Sequence, residues 1–203
     1  MNLVVVENGG SNLFSIVTAF DRLNVNCIIS HDKEIIENAD ALILPGVGAA
    51  GIAMQQLKHH DLIKPIKNFT KPVLGICLGL QLLYDYSEED EVECLGIIKG
   101  TIKKFDKTKL IVPHMGWNDL KLIRSNRLVN GVNAQDNVYY VHSYYAHLSE
   151  ATIASSTYGV EFSGIVCQDN FYAMQFHPEK SGKVGDSLLN NFIGIINDSL
   201  SSN

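Results

Sequence analysis

Apolar residues in the first half of the chain fall in short continuous runs, and in the second half in looser stretches broken by turns. Leu3–Val6, Ala41–Leu44 and Val73–Ile76 are apolar throughout and bounded by polar or turn-forming residues, which predicts strands buried on both faces. Leu13, Ile16, Val17 and Phe20 share one face of a helix predicted from about Asn12 to Leu23. Val25–Ile29 reads as a strand, Gly51–Leu57 and Leu62–Phe69 as helices, and Leu78–Tyr86 as a helix that begins directly after Ile76. Strands alternating with helices of this length predict βαβ units and a largely parallel sheet covered on both faces. Later, Thr101–Phe105, Asn137–Val141, Ile153–Ser156, Gly164–Val166 and Tyr172–Gln175 are strands separated mostly by turns, which predicts an antiparallel extension of that sheet. A last helix is expected from about Val184 to Ile196, with 198–203 a frayed tail. No repeat, low-complexity tract or linker interrupts the pattern, so a single α/β domain over 1–203 is expected.

Composition narrows the class. With 203 residues, 46% of them hydrophobic and 19% charged, the chain reads as an ordinary globular domain. A net charge of -6 offers no basic footprint, so neither nucleic acid nor an anionic membrane is an expected partner. The apolar runs fall far short of the roughly 20 residues of a membrane helix. Met1–Val6 lacks the basic start of a signal peptide, and a cytoplasmic location is expected.

Cys27, Cys77, Cys94 and Cys167 are scattered, with no CxxC pair and no metal-ligand spacing. Cys27 and Cys167 sit in apolar stretches and read as small buried hydrophobes. Acidic neighbours of Cys94 raise a thiol pKa and make it unreactive. Cys77 differs. In Gly75-Ile76-Cys77-Leu78-Gly79 it lies between a predicted strand and a predicted helix, with glycine two residues to either side. A nucleophile on a sharp strand-to-helix turn needs small neighbours there, as in the G-x-S-x-G elbow. Such a turn sets the sulfur at a helix N-terminus, whose dipole favours thiolate, and frees the next backbone N–H for an oxyanion. The segment alone also fits a buried cysteine between helix-packing glycines, so a base decides between them.

The base candidate lies about 100 residues later, in Gln175-Phe176-His177-Pro178-Glu179. Two positions apart on an extended segment, His177 and Glu179 point to one side. The carboxylate then holds one ring nitrogen and leaves the other for the thiol. His31, His59, His60 and His147 lie in polar surroundings and read as solvated, whereas His114 and His142 stay open between a structural and an interface role.

Pro45-Gly46-Val47-Gly48, Gly75-Ile76-Cys77-Leu78-Gly79-Leu80-Gln81 and Gln175-Phe176-His177-Pro178-Glu179, in that order over roughly residues 2–197, resemble the class I, or triad, glutamine amidotransferases. The resemblance implies that fold and a cysteine glutaminase with Cys77, His177 and Glu179 as its triad. It implies an oxyanion hole from Gly46, Val47, Gly48 and the N–H of Leu78, and a glutamine site that includes Gln81, Glu89, Ser143 and Tyr144. No cofactor and no metal are implied. Pro113–Asn118, Tyr139–Tyr144 and Lys180-Ser181-Gly182 are similar to the glutaminase subunits of imidazole glycerol phosphate synthases. By that likeness, ammonia passes to a (β/α)8-barrel cyclase subunit in a heterodimer serving histidine biosynthesis. Asn12, Trp117, Tyr139 and Lys180 then face the cyclase, with Trp117 on a loop. The length leaves no room for a fused synthase domain, so the partner is expected to be a separate polypeptide.

Ser11 in Glu7-Asn8-Gly9-Gly10-Ser11-Asn12-Leu13 stands where the family commonly has glycine, a departure that bears on which partner is served. Related subunits that supply ammonia for the amination of surface sugars share nearly all these motifs. A γ-glutamyl hydrolase or cysteine peptidase with the same elbow is a second reading, disfavoured by the 113–118 and 180–182 segments. A non-catalytic subunit is a third, disfavoured by the intact Cys77, His177 and Glu179.

Overall fold

The computed structural model describes residues 1–9, 13–46, 48–133 and 136–201. The first half runs β1 (Leu3–Val6), α1 (Phe14–Arg22), β2 (Cys27–Ser30), α2 (Lys33–Glu37), β3 (Ala41–Leu44), α3 (Ala50–His59), α4 (Ile63–Lys67), β4 (Val73–Ile76) and α5 (Leu78–Gln81). Then follow β5 (Tyr86–Ser87), β6 (Val92–Glu93), β7 (Thr101–Lys104), β8 (His114–Asp119), β9 (Lys121–Leu122), β10 (Asn137–His142) and β11 (Tyr144–Ala146). The chain ends with β12 (Thr152–Tyr158), β13 (Val160–Gln168), β14 (Phe171–Met174) and α6 (Gly182–Ser201).

The central sheet is eight-stranded, in the order β2-β1-β3-β4-β14-β13-β12-β9. It is parallel from β2 to β14 and antiparallel from there outwards, as the change of pattern at mid-chain implies. Strands β1, β3 and β4 are buried on both faces, whereas the edge strand β2 leaves Ile28 exposed. In β1, Leu3 and Val5 join one core with Ile16, Phe20 and Phe192, while Val4 and Val6 join another with Leu42, Leu57 and Ile66. A strand with solvent on neither side has no polar position to alternate with, hence its continuous apolar run. The smaller sheets are β10-β8 and β11-β7-β5-β6.

The short strands β5, β6, β9 and β11 are not anticipated by the pattern, and other elements depart from it in ways with a visible cause. The helix after Ile76 is only α5, because the carbonyls that would carry it on are taken from outside. Leu95 N–H bonds Leu82 O, Gly96 N–H bonds Tyr84 O, and the N–H groups of Ile97 and Ile98 both bond Leu83 O. Trp117 is on a strand and not a loop: β8 pairs with β10, with Trp117 directly opposite Tyr139. Helix α2 is not anticipated by the apolar pattern, yet Asp32 caps it, its Oδ1 accepting from Glu34 N–H at 2.8 Å and Ile35 N–H at 3.2 Å. Finally, α6 reaches Ser201, so residues 198–201 are helical rather than frayed, and Arg127 pairs with Asp198.

The elbow after β4 depends on two missing side chains. A Cβ on Gly75 would stand 2.7 Å from the carbonyl carbon of Gly79, and one on Gly79 would fall on the Leu44 carbonyl of β3. Gly79→Ala is therefore expected to destabilise the fold by about 3 kcal/mol through overpacking against backbone that cannot yield. A denaturant midpoint equal to that of the unsubstituted protein would show that the contact relaxes.

Candidate active site

Cys77 occupies the elbow with φ 48° and ψ -102°, a conformation rare for a residue with a side chain. Its N–H donates to Met174 O of β14 at 2.7 Å, which ties the turn to the neighbouring strand. The side chain is buried, with Sγ 3.8 Å from Val141 O and 3.6 Å from Nε2 of the fully buried Gln175. Because α5 spans only four residues, its dipole is weaker than a full helix would supply. Polarisation of the sulfur falls instead to the side chains beside it.

His177 follows β14 by three residues, and its interaction with the Cys77 side chain is one of the two that raise its pKa. Its Nδ1 lies 2.8 Å from Glu179 Oε1. The two are not on an extended segment, as their spacing suggested. His177 caps a short 3-10 turn, Pro178–Lys180, and the turn folds the carboxylate back to the ring. The backbone of His177 is pinned as well: its N–H donates to Tyr139 O at 2.9 Å, and Ser181 Oγ donates to its carbonyl at 2.7 Å. Burial lowers the imidazole pKa, but the bonds to Cys77 and Glu179 outweigh that and raise it to about 10. Glu179 Oε2 is buried without a hydrogen-bond partner among the described residues. An under-solvated carboxylate is costly, and the charged imidazole beside it compensates.

Beside the sulfur lies a cavity of ≈ 270 Å³ walled by Gly46, Gly48, Cys77, Leu78, Gln81, Glu89, Pro113, Val141, His142, Ser143 and Tyr144. All of the residues expected at the glutamine site thus meet in one space with the nucleophile. His177 is not on that wall. Gly46 approaches closely: a Cβ there would stand 2.5 Å from Ile76 O and 2.8 Å from Cys77 Cβ. Leu78, first in α5, has an N–H without an intrahelical acceptor. Glu89 Oε2 accepts from Ala50 N–H at 3.0 Å, and burial raises its pKa against that bond. Val47 and Asn12 lie outside the described residues.

Trp117 is 57% exposed, and its ring meets that of Tyr139 edge-on at 5.9 Å, with Met115 exposed on the same strand and Lys180 at the surface. Burial drives the thiols of Cys27 and Cys94 to about 12 and that of Cys167 upwards. His31 is paired with Glu7 at 2.7 Å and stacked on His60, so it is less simply solvated than its neighbours suggested. Gln175 was missed as a site residue, although it sits in the His177 motif; only its full burial beside Cys77 reveals it. No helix among the described residues is long and apolar enough to cross a membrane.

Residues 4–195 match the family described as glutamine amidotransferase class-I. The imidazole glycerol phosphate synthase subunit HisH of Haemophilus influenzae is 45% identical over 95% of this chain and 97% of its own. The protein of the same name from Bacteroides thetaiotaomicron is 45% identical over 96% and 100%. Among solved structures, a protein described as a GMP synthase subunit from Thermoplasma acidophilum superposes with TM-score 0.76 at 22% identity, covering 99% of this chain and 96% of that one. PurLQS from Thermotoga maritima gives 0.70 at 18% identity, covering 95% and 97%. The last two are similar in fold.

The geometry predicts how Glu179 acts. Glu179→Gln removes the charge that supports the imidazolium, so the His177 pKa falls towards its ordinary value and the adjacent thiol loses its cation. Alkylation of Cys77 by iodoacetamide near pH 7 is expected to slow by about tenfold. The sign for stability follows from the raised pKa. Charged His177 contributes fully below its ordinary value of 6.5, and that contribution is lost as pH rises towards about 10. Unchanged alkylation in Glu179→Gln would contradict the assignment.

Proposed function

From the premise that the chain belongs to the class-I glutamine amidotransferase family, we propose that it is the glutaminase subunit of an imidazole glycerol phosphate synthase. The observation that carries the chemistry is Cys77 on a strained elbow, interacting with a His177 that is itself held by Glu179. Near-full-length similarity to HisH proteins supports the pathway.

Glutamine enters the cavity with its side chain towards Cys77. Sγ attacks the carboxamide carbon, and the oxygen gains its negative charge where the Leu78 N–H and the Pro45–Gly48 turn supply donors. His177, held protonated, gives its proton to the departing nitrogen, so ammonia leaves and a glutamyl thioester remains on Cys77. The now neutral His177 takes a proton from water, hydroxide displaces the sulfur, and glutamate is released. Gln81, Glu89, Ser143 and Tyr144 hold the amino-acid end. The Glu89 oxygen that Ala50 does not use suits the α-ammonium, whose arrival offsets the cost of burying that carboxylate.

The ammonia is delivered to a separate (β/α)8-barrel cyclase subunit in a heterodimer. The exposed Trp117 and the half-buried Tyr139 offer an aromatic pair of the type that anchors interfaces, with Lys180 nearby in sequence to the base. Tyr139 O accepts from the His177 N–H, so this surface is one residue removed from the site where ammonia forms. Asn12 is proposed for the same face.

Two outcomes follow. Alone, the chain should hydrolyse glutamine slowly, and adding the cyclase subunit with its nucleotide ligand should raise turnover by about a hundredfold. Full activity of the lone chain would contradict coupling. Cys77→Ala in the complex should abolish glutamine-dependent synthesis and spare synthesis from ammonium salts. Equal loss of both would mean that Cys77 does something other than make ammonia.

A further inference from the structure

Two buried histidines, His142 on the cavity wall and His114 beyond it, have no role in the glutaminase chemistry described above. His114 Nδ1 is 2.9 Å from His142 Nε2, and both side chains are buried among Phe105, Tyr140, Tyr158 and Phe162. His142 Nδ1 is 2.7 Å from Tyr144 O, and His114 Nε2 is 3.4 Å from Asn118 Nδ2.

Backbone groups fix the direction of every bond in this chain. Tyr144 O is an acceptor, so His142 carries its proton on Nδ1 and its Nε2 is bare. His114 must then donate from Nδ1, which leaves its own Nε2 as an acceptor. The far end agrees independently. Asn118 Nδ2 donates to Thr157 O at 3.0 Å while its Oδ1 accepts from Asp119 N–H at 2.9 Å, so the atom facing His114 is a donor. A second proton on His142 would set two N–H groups against each other across 2.9 Å, and one on His114 would face the Asn118 Nδ2 hydrogens across 3.4 Å. Burial accordingly lowers the pKa of His114 to about 4. For His142, burial outweighs the opposing bond to Tyr144 O, and with His114 and His177 nearby its pKa falls to about 3.

The direction continues past Tyr144. Its carbonyl also accepts from Gln81 Nε2 at 3.1 Å. Gln81 Nε2 donates its other hydrogen to Gln175 Oε1 at 3.2 Å, which turns Gln175 Nε2 to the Cys77 sulfur at 3.6 Å. We propose that His114 and His142 form a tautomer-locked pair that positions the glutamine pocket, holding the Tyr144 carbonyl so that Gln81 and, through Gln175, a hydrogen-bond donor on the Cys77 sulfur are fixed in orientation. With Nε2 committed to two acceptors, Gln81 is left with only its oxygen for a ligand, which selects a donor such as the substrate ammonium over its carboxylate. Both histidines are positioning residues, and the proposal rests on the glutaminase reading of the cavity.

Nitrogen NMR of the histidine-labelled, unsubstituted chain tests the lock directly. Both rings should carry hydrogen on Nδ1 alone and show no titration from about pH 5.5 to 8. Hydrogen on Nε2 of His142, or a second proton on either ring in that range, overturns the proposal. Kinetics of the complex with the cyclase subunit test the positioning. His142→Phe should raise KM for glutamine roughly tenfold while changing kcat less. His142→Asn, whose Nδ2 hydrogen replaces the one offered to Tyr144 O, should recover most of that loss. Synthesis from ammonium salts should be intact in both, which reports fold and docking. An unchanged KM in His142→Phe, or no recovery in His142→Asn, overturns the proposal. If the unsubstituted complex hydrolyses no glutamine, the functional reading fails instead, and the NMR result still decides the tautomers.

Discussion

The structure depends on the parallel pairing of β4 with β14. Val73–Ile76 lies beside Phe171–Met174 with Gly75 opposite Ala173 and Ile76 opposite Met174. The register is held at both ends. At the start, Val73 N–H donates to Asn170 O, and the Asn170 amide donates to the carbonyls of Phe69 and Lys71 at 2.7 Å each. At the end, Cys77 N–H donates to Met174 O. Two segments about 100 residues apart thereby finish side by side, one turning sharply into Cys77 and the other running on to Gln175 and His177. A slip of a single residue would turn Gln175 away from the sulfur, because alternate residues of a strand face opposite sides.

Around that pairing, buried polar groups are aligned by a few backbone carbonyls. Tyr144 O and Thr157 O each dictate which atom of a neighbour donates, and the amides and imidazoles between them have no freedom left to choose. Such networks are worth keeping in a core only when each member is satisfied. Glu179 Oε2 is one of the few buried side-chain atoms without a partner among the described residues, and it sits where a buried negative charge is useful because it favours protonated His177. Tyr139, whose half-buried ring meets the exposed Trp117, takes the His177 N–H on its carbonyl. The proposed base and the proposed docking surface therefore share the backbone bond between His177 and Tyr139.

Much of this was legible in the residue pattern, for physical reasons that also mark its limits. Strands β1, β3 and β4 are buried on both faces, and burial of that kind demands a continuous apolar run. The elbow was readable because Gly75 and Gly79 are demanded by contacts with backbone, which no other residue type can make. Helix α5 was read too long because Leu78–Tyr84 is mostly apolar, and what ends it is hydrogen bonding from residues 95–98, beyond the reach of a local pattern. The residues around Trp117 carry no strand pattern of their own, and pairing with β10 decides that β8 is a strand. His114 and His142 could not be placed from sequence at all, since their partnership is across strands and 28 positions apart. The Glu179 contact was anticipated for an extended chain and is made by a 3-10 turn. The pairing survived because two-residue spacing can bring side chains together in either geometry.

The central claim is that Cys77, alone among the cysteines, is a nucleophile shaped for glutamine. The most direct measurement is peptide mapping by mass spectrometry after exposure to an electrophilic glutamine analogue, in the complex with the cyclase subunit. The adduct should be found on the peptide containing Cys77 and not on those containing Cys27, Cys94 or Cys167, and excess glutamine should slow its formation. Labelling spread over the other thiols, or labelling of Cys77 that glutamine does not slow, would contradict the account.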